Sequence, residues 1–157
     1  MTEAALGFIR ENEELESAYR HLISVKGIAE TSAVALLGEL LVLPKDMNVR
    51  QWVAHAGLDP REFSSGTSVR KKVHISKVGN ANIRRALYMP ALVAAQHEPR
   101  VKAYYEKLQA RGIAKQAAVV AVMRKLLHAI HGMFRTDTDF DGNKFFHPDN
   151  ELKSQSA

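Results

Sequence analysis

The run Ser64-Ser65-Gly66-Thr67-Ser68-Val69-Arg70-Lys71-Lys72 sets several hydroxyl groups beside three cations on a glycine-containing stretch. A serine hydroxyl is a weak nucleophile until a neighbouring base or charge activates it, and a transferring phosphoryl group needs cations near its oxygens. Arg70, Lys71 and Lys72 meet the second need, and Gly66 lets the backbone come close to a ligand. The chemistry open to such a run is attack on a phosphate. The same composition also describes a solvated loop with no chemistry at all.

The charge is concentrated around this run. From Arg61 to Arg85 seven bases (Arg61, Arg70, Lys71, Lys72, Lys77, Arg84, Arg85) face one acid, Glu62, so the segment carries +6 of a net +5 and the rest of the chain sums to −1. A basic stripe of this kind points to a polyanion such as nucleic acid. With no Cys among 157 residues, thiolate catalysis, disulfides and sulfur-ligated zinc are excluded. The first residues, MTEAALGFIRENEE, lack a basic and apolar leader, and no unbroken apolar run reaches 18 residues. The expectation is a soluble cytoplasmic protein with no membrane partner.

Helical elements must position the basic segment. Apolar positions Leu6, Ile9, Leu15, Tyr19 and Leu22 predict one exposed amphipathic helix over residues 3–23, either the end of a coiled coil or a helix packed on its own domain. Val34, Leu37 and Leu41 predict a second helix after Gly27, and a third runs from about Val49 to Ala56 with Asn48 as N-cap, Gly57 as stop and Trp52 and Val53 facing inward. Residues 57–82 break helical periodicity, and Val69 to Ile75 has enough β-branched residues for a short hairpin arm. Beyond them, Ile83, Leu87, Ala91 and Ala94 predict a helix opened by Asn80 and kinked at Pro90, followed by helices over about 100–110 and 115–134, the last of which supplies much of the core. The tail from Lys144 onward is expected to fray.

Two further features bear on binding. The turn Val25-Lys26-Gly27-Ile28-Ala29 is either an ordinary αα corner or a hairpin whose backbone N–H groups hold a phosphate, with Lys26 adding charge. It resembles the hairpin of helix-hairpin-helix modules, except that Ala29 stands where a second glycine is usual. Asp137-Thr138-Asp139-Phe140-Asp141-Gly142 imitates the start of a calcium loop, but Pro148 occupies the twelfth position in place of a bidentate Glu, so it reads as an acidic turn with caps. His128 and His131 have no Cys, Asp or Glu companion nearby in sequence and read as ordinary core or surface histidines.

Taken in order, Val25-Lys26-Gly27-Ile28, Trp52 to Pro60, Ser64-Ser65-Gly66, Ile75 to Asn80, Ile83 to Leu87 and Ala114 to Leu127 resemble the transposase domain of the insertion-sequence 110 family (the IS116/IS110/IS902 type), related to Piv-type DNA invertases. The resemblance covers roughly residues 20–135. It implies a DNA recombinase in which a RuvC-like N-terminal domain with four metal-binding acids is joined to a C-terminal domain carrying a nucleophilic serine. That serine maps to Ser65, with Ser64 and Ser68 as close alternatives. The resemblance further implies a covalent serine–DNA intermediate, Mg2+ held by the RuvC-like domain, a structured guide RNA and action as a homo-oligomer.

The sequence reading is therefore a mainly α fold: a helical bundle with a helix-hairpin-helix-like element, a basic Gly/Ser loop and a possible short β-hairpin. It divides into an N-terminal helix (1–22), a serine-bearing transposase domain (23–135) and an acidic tail (136–157). Ser65 is the expected catalytic residue; Lys26, Gly27, Gly66, Arg70, Lys71, Lys72, Lys77, Arg84 and Arg85 are the expected DNA contacts. No metal or cofactor is expected on the chain itself. With no room for the RuvC-like domain, activity is expected to need one supplied elsewhere. The rival expectations are a non-catalytic DNA-binding module, an inactive transposase remnant and a purely structural helical scaffold.

Overall fold

A computed structural model describes residues 2–61, 74–75 and 79–148 of the chain. Within these residues lie α1 (Thr2–Arg10), α2 (Glu13–Ile23), α3 (Glu30–Leu40), α4 (Val49–His55), β1 (Pro60–Arg61), β2 (His74–Ile75), α5 (Ala81–His97), α6 (Pro99–Ala110), α7 (Lys115–Thr136) and α8 (Gly142–Phe145). The fold is mainly α, as its sequence periodicity dictates. β1 and β2 pair antiparallel, Pro60 opposite Ile75 and Arg61 opposite His74. The rest of the expected hairpin arm, residues 69–73, lies outside the described residues.

The single helix expected over 3–23 is two helices. Asn12 accepts hydrogen bonds on Oδ1 from the backbone N–H groups of Glu14 (3.0 Å) and Leu15 (3.2 Å), so it starts α2 afresh. α1 folds back onto α2 and α3 and buries Ile9, while α2 buries Ala18, His21 and Leu22. The α4 boundaries follow from local chemistry: Asn48 and Gln51 form a reciprocal capping box, with Asn48 Oδ1 accepting from Gln51 N (2.9 Å) and Gln51 Oε1 from Asn48 N (2.8 Å).

α7 is the central element, packing on α2, α4, α5, α6 and α8. Its face of Ala118, Val119, Val122, Met123, Leu126, Leu127, Ile130 and Met133 is buried, in one core with Leu22, Leu36, Leu58, Ile83 and Leu87 from elsewhere in the chain. By length and mean hydropathy (22 residues, 1.3 over its most apolar window) α7 would pass as a membrane span, yet half of that window is buried inside the fold. Arg124 and Lys125 interrupt it, which is why no unbroken apolar run appears in the sequence.

At residues 144–148 the chain is packed and not frayed, while 149–157 lie outside the described residues. The chain continues through α8, and Phe145 and Phe146 are buried against Tyr104 of α6, with ring centroids 5.8 and 5.7 Å away. Two large rings remove enough apolar surface from water to offset the ordering of this segment. The acidic turn acts through caps, as its composition suggests: Asp137 ends α7 in a left-handed conformation (φ 52°), and Asp141 Oδ1 accepts from Asn143 N (2.9 Å) to start α8.

Candidate nucleic-acid interface

The described residues that flank 62–73 in sequence approach one another in a narrow neck. On the outgoing side Ala56, Gly57 and Leu58 are buried, and Gly57 takes a positive φ of 69°. On the returning side Gly79 (φ 145°) lies so close that a Cβ there would stand 2.5 Å from the His55 carbonyl oxygen and 2.7 Å from Gly57 N. Only glycine permits that approach. Asn80 N–H closes the neck by donating to the His55 carbonyl (2.6 Å), and the β1–β2 pair holds the strands together just outside it.

Two arginines brace the neck from different helices. Arg84 of α5 donates from Nη1 to the Ala56 carbonyl (2.9 Å), and Arg124 of α7 donates from Nε to the Leu58 carbonyl (2.8 Å). Carbonyls at a helix C-terminus carry partial negative charge, so cations suit them. The start of α5 is held in turn by Glu39 of α3, which accepts from Asn80 Nδ2 (2.5 Å) and Asn82 Nδ2 (3.2 Å). Arg85 reaches Asn82 Oδ1 (3.2 Å) and is exposed.

Of the expected contacts, Ser65, Gly66, Arg70, Lys71, Lys72 and Lys77, with Ser64 and Ser68, lie outside the described residues. Arg84 sits at the neck, half-buried and bonded to Ala56, while Arg85 and Lys26 are exposed. Gly27 has a structural reason for its identity. At φ 118°, its Cβ position falls 2.7 Å from the Pro90 carbonyl oxygen and 2.9 Å from Ala94 N, over one backbone hydrogen bond of α5. The Lys26–Gly27 turn therefore lies along α5 from Arg85, about 8–14 Å away at the usual helical rise.

Sequence reasoning passed over Arg124. Its signal was an arginine inside an otherwise apolar helical run, beside Lys125 and four residues before His128. Lys125 Nζ stands 4.2 Å from the centre of the Tyr104 ring and 5.3 Å from that of Phe145. Burial and then the charge of Lys107 hold the Lys125 ammonium below its usual range. The Tyr104 hydroxyl is raised by burial, against the opposing pull of Arg124 and Arg111.

A second cluster joins residues far apart in sequence. His21 presents Nδ1 to Asp139 Oδ1 and Nε2 to Asp137 Oδ1, both at 2.8 Å, and Ser17 Oγ donates to the same Asp137 oxygen at 2.7 Å. Although Ser17 Oγ is also 3.3 Å from His21 Nε2, this is no serine nucleophile with its base. A ring with a carboxylate on each nitrogen is held as imidazolium and cannot accept the serine proton. Burial pulls His21 down, but the hydrogen bonds and charges of Asp137 and Asp139 outweigh it and leave its pKa raised. Asp137 is lowered, first by its bond from His21 and then by that from Ser17. The cluster clasps the end of α7 to α2. Among the described residues no three His, Asp or Glu side chains converge to hold a metal ion.

Residues 19–106, from α2 through most of α6 and including the neck, match the family described as Transposase IS116/IS110/IS902. The chain is 28% identical over 129 residues to the pilin gene-inverting protein of Moraxella bovis, covering 82% of this chain and 40% of that protein. It is 30% identical over 125 residues to the pilin gene-inverting protein of Moraxella lacunata (76% and 38%). To the insertion element IS110 uncharacterized 43.6 kDa protein of Streptomyces coelicolor it is 28% identical over 123 residues (76% and 29%). The chain thus spans less than half the length of these relatives. With more than half of its residues matched, it belongs to the IS116/IS110/IS902 transposase family.

Proposed function

We propose that this chain is the serine-bearing, strand-joining part of a DNA transposase or recombinase. The observation that carries the reading is the neck. Two glycines in close apposition, a short strand pair and two arginine braces hold together the described residues on either side of the serine- and cation-bearing segment 62–73. Pre-positioning of this kind is what a group-transfer site needs. Family membership and similarity to gene-inverting proteins support the same reading.

Ser65 Oγ attacks a DNA phosphate: an Oγ–P bond forms, the P–O bond to one deoxyribose breaks, and the released sugar oxygen leaves with a proton. Attack by the hydroxyl of another strand on the serine phosphodiester reverses the exchange and joins the strands. Phosphoester bonds are conserved throughout, so no nucleotide cofactor is consumed. Arg70, Lys71, Lys72 and Lys77 would neutralise phosphate charge, and Arg85, Lys26 and the Gly27 turn would contact the backbone further along α5. Arg84 and Gly66 serve the loop, the first through Ala56 and the second through a close backbone approach. Mg2+ belongs in this reading to a RuvC-like partner domain. A structured guide RNA directs target choice, a homo-oligomer completes the site, and the chain acts in the cytoplasm.

The test is a denaturing gel of the chain incubated with nicked element-end DNA, a RuvC-like domain and Mg2+. A slow protein–DNA band retained in Ser64→Ala and Ser68→Ala but lost in Ser65→Ala is expected. An equal band in Ser65→Ala, or no band from the unaltered chain, would overturn the assignment in favour of a binding module without catalysis.

A further inference from the structure

A cleft of about 640 Å3 opens between α7, Tyr104 of α6, the 136–141 turn and α8. Ala129, Met133 and Phe140 give it apolar walls, and Arg124, Lys125 and Lys144 supply cations. Lys107 and Arg111 of the α6 end lie close enough for their charges to act on Lys125 and Tyr104 respectively. No ion pair joins Arg111, Arg124, Lys125 or Lys144 to a carboxylate among the described residues. Asp139 and Asp141 line the cleft as well, but Asp139 faces His21 Nδ1 and Asp141 accepts from Asn143 N. Arg124, Lys125 and Lys144 outnumber the two carboxylates of the cleft, and a polyanion relieves the mutual repulsion of such like charges.

Size and lining narrow the ligand. A volume of this order suits a small ligand, here one or two nucleotides, and does not admit a duplex. Apolar walls with aromatic rings beside cations are what an unstacked base and its phosphate need. Arg124 ties the cleft to the neck through the Leu58 carbonyl, so a strand lying in the cleft would lead toward the base of residues 62–73.

We propose that this cleft binds an unpaired DNA strand, with its phosphates on Arg124, Lys125 and Lys144 and a base against the apolar wall. The inference rests on the DNA-joining reading.

Fluorescence anisotropy of the full chain with a labelled single-stranded oligonucleotide and with a matching duplex, each over a salt series, tests it. The double variant Lys125→Met/Lys144→Gln keeps the Lys125 stem while removing both charges. It should bind the single strand roughly tenfold more weakly, with the log–log salt slope reduced by about 1.4, or 0.7 for each phosphate lost. Duplex binding should be unchanged. Unaltered single-strand affinity and slope, with duplex binding intact, would overturn the cleft alone; binding of neither DNA by the unaltered chain would overturn the DNA-joining reading with it. Photocrosslinking of a 4-thiothymidine oligonucleotide to the unaltered chain covers any folding defect of the variant. Adducts on Tyr104, Phe140 or Phe145 support the site, and adducts confined to other surfaces refute it. If inorganic phosphate at equal charge displaces the oligonucleotide completely, the cleft is a phosphate site and not a strand site.

Discussion

Replacing Gly27 by alanine separates a packing role from a phosphate-binding role at the first hairpin. At φ 118° an L side chain is strained by about 1–3 kcal/mol. The new Cβ would also stand 2.7 and 2.9 Å from backbone atoms of Pro90 and Ala94, which cannot swing aside as a side-chain tip would. Shifting α5 adds about 1–3 kcal/mol, the usual range for overpacking. A total near 4 kcal/mol should lower Tm by about 8–16 °C in a chain of this size. Two other glycines provide internal controls. Gly112→Ala meets open space at φ 83° and should cost only about 1–2 kcal/mol of backbone strain. Gly38→Ala lies within α3 with nothing near its Cβ position, and should raise stability by about 0.5–1 kcal/mol. Thermal melts followed by circular dichroism rank the three. If Gly27→Ala melts no lower than Gly112→Ala, the packing argument fails; if it also loses DNA affinity, the glycine serves the ligand.

Two further predictions follow from the neck and the clasp. Arg124→Met leaves the buried Leu58 carbonyl without its charged donor, a loss of about 1–3 kcal/mol, so the amides of Leu58 and Asn80 should exchange about 5- to 150-fold faster, and unchanged protection would remove Arg124 from the neck. For the His21 clasp, a pKa raised above 6.5 means stability fully present below that pH and lost as pH climbs through the folded value. The lowered Asp137 means stability present above its ordinary 3.8 and lost as pH falls through the folded value. The Tm advantage over His21→Gln should therefore be greatest between pH 3.8 and 6.5 and shrink on the alkaline side; a constant difference from pH 4 to 9 would show that the clasp does not titrate.

The elements legible from residue order are those that short-range chemistry dictates. The Asn48 and Asn80 caps, the glycine stop at 57 and the apolar face of α7 each depend on residues within about one helical turn to a few turns, so periodicity and capping rules located them. The same rules placed the break between α1 and α2 out of view, because a heptad-like stripe runs across Asn12 and only the cap geometry shows the restart. Tertiary structure alone decided the rest. Arg124 meets Leu58 across 66 positions, His21 meets Asp137 and Asp139 across 116 and 118, and Gly27 is required by α5, some 65 residues on. No local pattern encodes these partners, since each is set by where close-packed helices bring distant carbonyls, carboxylates and backbones together.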